Sequence, residues 1–145
     1  SITNNSAAAG NIGEFVTATI AAASAAPLTN NTGLTIASIS LTAGDWDISA
    51  QLEFVLGGAT STLHQSSISL TTDTLSTQAG GAGLGTDPLS SLPLPTTILS
   101  GTLSQPIPPV RLSIAATTTV YLVAQSSFSV GTESAYGTIR ARRMR

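Results

Sequence analysis

The side chains in this 145-residue chain that could do chemistry are few: one histidine, seven carboxylates and five arginines, with no cysteine and no lysine. His64 has Ser61, Ser66 and Ser67 as neighbours, so a Ser–His–Asp relay would draw its acid from Asp73 or Asp87. The signal is weak. Serine is so common here that some serine must lie near any histidine, and no G-x-S-x-G elbow occurs. The expected position of His64 is therefore the surface or an interface. Asp45 and Asp47 flank Trp46, a spacing that could suggest a glycosidase pair or a calcium site. Gly44-Asp45 reads better as a turn, Asp47 as the outward position of a strand, and no third carboxylate follows at EF-hand spacing. The run Ala79-Gly80-Gly81-Ala82-Gly83-Leu84-Gly85 lacks the Lys-Ser/Thr and the helix of a phosphate loop. No catalytic residue, metal site or cofactor is assigned.

The charge that stands out is at the C-terminus. Arg140, Arg142, Arg143 and Arg145 fall in the last six residues, while Arg111 is the only other cation. Residues two apart in a strand share a face. Arg140 and Arg142 should therefore point one way, and Ile139, Ala141 and Arg143 the other, with Ile139 and Ala141 on the packed side. The expected pairing partners are Asp47 and Glu53 on the long strand and Glu133 before the last one. Arg140, Arg142, Arg143, Asp47 and Glu53 form the candidate interface or docking set.

Composition narrows the class of protein. Charged residues make up 8% of the chain, against about 25% in an ordinary soluble domain. Thr, Ser and Ala number 22, 20 and 20. A surface made largely of Ser, Thr, Asn and Gln suits β-structure with much of its area covered by other chains. A net charge of −2 and a pI near 5.0 argue against nucleic acid as a partner. The longest apolar stretch, residues 19–28, is broken by Ser24 and Pro27 and is too short for a membrane span. No basic start and apolar core of a signal peptide is visible.

The elements that must position these residues read as strands. Residues 1–13 are small, polar and aperiodic, an expected arm or linker before a domain over 14–145. Alternation marks strands at 14–20 and 34–41. It is cleanest at 46–55, where Trp46, Ile48, Ala50, Leu52 and Phe54 oppose Asp47, Ser49, Gln51, Glu53 and Val55. Gly57-Gly58 is expected to end that strand, and another follows at 62–71. Residues 76–97, rich in Gly and Pro, read as a long loop. A short strand at 98–103 is followed by Pro106, Pro108 and Pro109, which allow no central strand. Strands at 110–114, 119–128 and 136–143 complete the set. About eight short strands with no convincing helix predict an all-β antiparallel sandwich, a jelly roll. Trp46, Ile48, Leu52, Phe54, Val120, Leu122 and Phe128 are its expected core. Val55, Val123 and Ile139 would give some strands a second apolar face, for which a neighbouring subunit is the expected cover.

Three segments in order carry a resemblance: Ser38-Ile39-Ser40-Leu41-Thr42-Ala43-Gly44-Asp45-Trp46-Asp47-Ile48-Ser49, then residues 111–125 (Arg-Leu-Ser-Ile-Ala-Ala-Thr-Thr-Thr-Val-Tyr-Leu-Val-Ala-Gln), then Ala135-Tyr136-Gly137-Thr138-Ile139-Arg140-Ala141-Arg142-Arg143. Together they resemble bacteriophage virion proteins, seen as fibre-tip modules and as small decoration proteins. The layout is also similar to the trimeric jelly roll of the tumour necrosis factor type. The resemblance implies a non-enzymatic virion structural protein, a homotrimer that decorates the capsid or forms a short fibre tip. Its implied partners are its own copies and other virion proteins. The alternative is a receptor-binding head that recognises a host-surface glycan.

Overall fold

The computed structural model describes residues 7–76, 89–95 and 98–145. Eight strands follow in chain order: β1 (Phe15–Ile20), β2 (Ala26–Pro27), β3 (Leu34–Leu41), β4 (Gly44–Ser69), β5 (Leu89–Pro93), β6 (Ile98–Ile114), β7 (Thr118–Phe128) and β8 (Thr132–Arg143). All pairings are antiparallel. The Ala-rich stretch after β1 forms one 3₁₀ turn, Ala22–Ser24.

The organising element is β4. Its first half lies between β8 and β6, and its second half between β7 and β5. The first sheet therefore runs β1–β8–β4–β6, with β2 extending the β1 edge, and the second runs β3–β7–β4–β5. One strand belongs to both sheets. The result is a nearly closed all-β sandwich of jelly-roll type, as the strand pattern predicts.

Two expected strand breaks do not occur, each for a backbone reason, and β8 begins earlier than expected, at Thr132. Gly57-Gly58 does not end the strand. Gly58 takes φ +67°, and the register slips between Gly57 and Ala59. A bulge at glycine bends and twists a strand without stopping it, and here it carries β4 from one sheet into the other. Similarly, β6 runs unbroken through Pro106, Pro108 and Pro109. Among the described residues it is an edge strand, paired to β4 alone in its sheet. Its prolines sit where a missing N–H is tolerated, the last two at the bulge between Ile48 and Ala50. β5 was hidden within the expected loop over 76–97. The Gly-rich run and Asp87 lie outside the described residues.

The core forms between the two sheets. Trp46, Ile48, Leu52, Phe54, Val120 and Leu122 are fully buried, and Phe128 packs on their margin. The side chains expected to need a neighbouring subunit behave differently. Ile139 is inside the core, fully buried. Val123 is also fully buried, but under its own chain: it lies in register between Thr35 and Ser67, and the segment after β4 folds back over both. There Asp73 accepts from the Thr35 amide at 2.7 Å, and the Ser76 amide donates to Ser67 Oγ at 3.0 Å. Val55 is half-buried.

Candidate functional site

The antiparallel register gathers four of the five candidate docking residues on one surface. On β8, Arg140 and Arg142 point outward from the first sheet, and on the adjoining β4 so do Asp47 and Glu53. Arg142 is opposite Asp47, Arg140 opposite Ser49, and Tyr136 opposite Glu53. Arg140, Arg142 and Asp47 are exposed, and Glu53 is half-buried. Arg140 Nε donates to Ser49 Oγ at 3.1 Å. Glu53 accepts from Gln51 Nε2 at 2.9 Å and from Ser104 Oγ at 2.5 Å. None of the four belongs to an ion pair among the described residues. A shallow groove of about 270 Å³ lies beside them, lined by Gln51, Glu53, Tyr136, Gly137, Thr138 and Arg140. A second groove, between Phe15 and Pro109, takes in Asp47, Arg140 and Arg142.

Arg143 departs from the docking set. Strand alternation turns it inward with Ile139 and Ala141, and its side chain is 4% exposed. Its Nε donates to Glu14 Oε2 at 3.0 Å, and Nη1 donates to the Ala43 carbonyl at 2.6 Å. Its other terminal nitrogen bonds Thr42 Oγ1. Glu14 in turn accepts from the Gly10 amide at 2.8 Å. That bond, aided by Arg143, holds the Glu14 carboxyl below its ordinary range. Arg145 also folds back, with Nε 2.8 Å from Asp45 Oδ2. Hydrogen bonds from Ser113 and Arg145, with Arg111 adding a third, hold Asp45 low as well. The end of the chain is thus clamped over the β3–β4 turn. The last residues of the expected arm are bonded to it, with the Gly13 amide donating to the Arg143 carbonyl at 3.0 Å.

His64 is the clearest correction. It is fully buried rather than at the surface, because the bulges in β4 turn it toward the interior. Its ring stacks on Phe54, with centroids 4.0 Å apart and planes at 15°. Nε2 lies 3.1 Å from Glu133 Oε2, and Ser61 Oγ donates to the other carboxyl oxygen. Burial holds the imidazole down to about 4 and pushes the Glu133 carboxyl up. The serine bonds the acid rather than the imidazole, and no substrate reaches either. Asp73 is exposed and bonded to Thr35 instead. The arrangement is a polar joint in the core, not a relay. Nothing in the sequence paired His64 with Glu133, since strand alternation carries no information on a partner 69 residues away.

No family model matches this chain, and no curated protein matches it. Among solved structures, the fold resembles a chain in the structure of infectious bursal disease virus, Gx strain, with a TM-score of 0.52 and 17% identity over 90% of this chain. It also resembles a chain of the infectious bursal disease virus VP2 subviral particle, with a TM-score of 0.50, again at 17% identity over 90% of this chain. In both cases this chain spans 32% of the other chain's length. At that identity the likeness concerns the fold alone, and it agrees with an antiparallel jelly-roll sandwich.

Proposed function

We propose that this chain is a non-enzymatic structural protein of a virion, assembling with its own copies and with other virion proteins. The observation that carries the reading is the match of its shared-strand sandwich, over 90% of its length, to chains of viral particles. The low charge content supports the same reading, since a Ser/Thr-rich surface suits contact with other chains better than life as a free monomer. In its finer form the reading is the one the sequence resemblance implies: a bacteriophage decoration or fibre-tip module, assembled as a homotrimer. Arg140, Arg142, Asp47 and Glu53 are its docking residues. Peptide mass spectrometry on gradient-purified particles tests this. The chain should co-purify with particles at a fixed ratio to the major shell protein, and its confinement to the soluble fraction would defeat the reading.

A second reading is a head that binds a host-surface glycan. The groove beside Tyr136 favours it, since its lining brings a half-buried aromatic residue together with Glu53 and Arg140. Glycan-array binding that is lost in Tyr136→Ala would support this reading over docking.

A further inference from the structure

The outer face of the first sheet is arranged as two stripes of opposite sign. Arg140 and Arg142 stand on β8, and Asp47 and Glu53 stand on β4. Adjacent strands lie about 4.8 Å apart, so the stripes run side by side along the sheet. Elsewhere among the described residues most charges are paired, Asp73 being the exception, bonded to the Thr35 amide instead. Arg143 is paired with Glu14, Arg111 and Arg145 with Asp45, and Glu133 faces His64. Both arginines without an ion pair among the described residues are in the β8 stripe. Asp47 and Glu53 likewise have no cation within pairing distance there. The four charges sum to zero, so the face neither repels a copy of itself nor selects a partner of one sign.

We infer that this face is the contact surface for a second copy of the chain, with the arginine stripe on β8 of one copy set against the carboxylate stripe on β4 of the next. The inference rests on the reading of the chain as an assembling subunit and names where assembly occurs. Because both stripes are on one face, a β8-to-β4 contact is self-complementary and can close in a two-fold pair, or repeat head to tail around a ring. Of the apolar side chains expected to need a neighbour, Ile139 is taken up by the core and Val123 by the chain's own fold-back, while half-buried Val55 on β4 and exposed Phe15 on β1 remain at this face to add apolar contact. Complementary charge sets the register of the contact, and arginine is the cation suited to bidentate carboxylate contact.

Charge reversal with rescue tests this. Arg140→Glu with Arg142→Glu leaves two acidic stripes, and Asp47→Arg with Glu53→Arg leaves two basic ones. Each double variant should associate about tenfold more weakly or worse than the wild type by sedimentation equilibrium. The variant carrying all four changes should recover association, because opposite stripes meet again. Circular dichroism and urea midpoints check that each variant is folded. Should one not fold, wild-type association should still weaken from about 0.1 M to about 1 M salt, as the screening length falls from about 10 Å to about 3 Å. Wild-type association that is indifferent to both charge reversal and salt would overturn the surface while leaving the assembling-subunit reading in place. A wild type that neither self-associates nor co-purifies with particles would overturn both. So would a monomer whose grooves bind an acidic glycan through the same arginines.

Discussion

The guanidinium carbon of Arg143 lies 4.5 Å from the centroid of the Trp46 ring. Its Nε is bonded to Glu14, and the ring's own Nε1 donates to the Thr42 carbonyl at 2.9 Å. One cation thus joins the residue before β1, the β3–β4 turn and the end of β8 at one pole of the sandwich. Removing it strands the Glu14 carboxylate in a nearly enclosed site. Arg143→Ala is expected to cost about 3–5 kcal/mol in urea unfolding. Arg142→Ala, one position away but facing solvent, should stay within about 0.5 kcal/mol. Equal costs for the two would contradict the inward orientation of Arg143.

Trp46 and Phe128 separate core from margin. Trp46 is fully buried, whereas Phe128 is only partly so. Trp46→Ala should lose about 3–5 kcal/mol, through lost burial and the cavity left behind. Phe128→Ala should lose clearly less by the same denaturant titration. A Trp46 variant with an unchanged midpoint would mean that the first sheet does not pack as described.

The His64–Glu133 joint predicts a pH dependence whose two parts oppose. The imidazole is held at about 4, against an ordinary 6.5. Between those values the unfolded chain binds a proton that the folded chain refuses, so the His64 contribution to stability is lost as pH falls. Glu133 is pushed up from 4.5. Its folded form keeps a proton that the unfolded chain gives up, so its contribution is lost as pH rises through the raised value. Glu133→Gln removes the second part. Stability of that variant should fall by up to about 1.4 kcal/mol per pH unit on acidification through the histidine window. Glu14 and Asp45, both held low, add acid sensitivity only below their ordinary 4.5 and 3.8. In the wild type, the His64 Cε1–H resonance should stay at its neutral position until about pH 4. Titration near 6.5 would contradict the sealed joint.

Gly131 is the tightest point where β4 crosses between sheets. It takes φ +78°, and a Cβ there would lie 2.4 Å from the Gly58 carbonyl oxygen. Gly131→Ala is therefore expected to cost more than about 1 kcal/mol, from backbone strain and collision together. Ala at Gly10, also at positive φ but with open space around it, should cost less. Thermal melts of the two variants compare them directly.

Alternation carried most of what the sequence could tell. It set the inward row from Trp46 to Phe54, the outward row from Asp47 to Val55, and the split of Arg140 and Arg142 from Arg143, because side-chain direction has period two within any strand. It could not tell that Gly57-Gly58 bends rather than stops β4. A glycine pair serves a bulge as readily as a turn, and only the partner strands decide. Nor could it place His64, whose inward direction depends on two register slips between Gly57 and Leu63. The internal roles of Arg143 and Arg145 were obscured for a related reason: their carboxylate partners, Glu14 and Asp45, lie 129 and 100 residues away. Arg140, Arg142, Asp47 and Glu53 were legible as a set of outward positions because alternation fixes their faces, and their common surface followed once β8 paired with β4.

The most direct test of the virion reading is a cryo-EM reconstruction of purified particles from the source of this sequence. The account predicts density that fits the sandwich on the particle, at the shell or at a fibre tip, with the Arg140 and Asp47 face turned toward a neighbouring copy. Particles whose density is complete without this chain, and from which its peptides are absent, would contradict it.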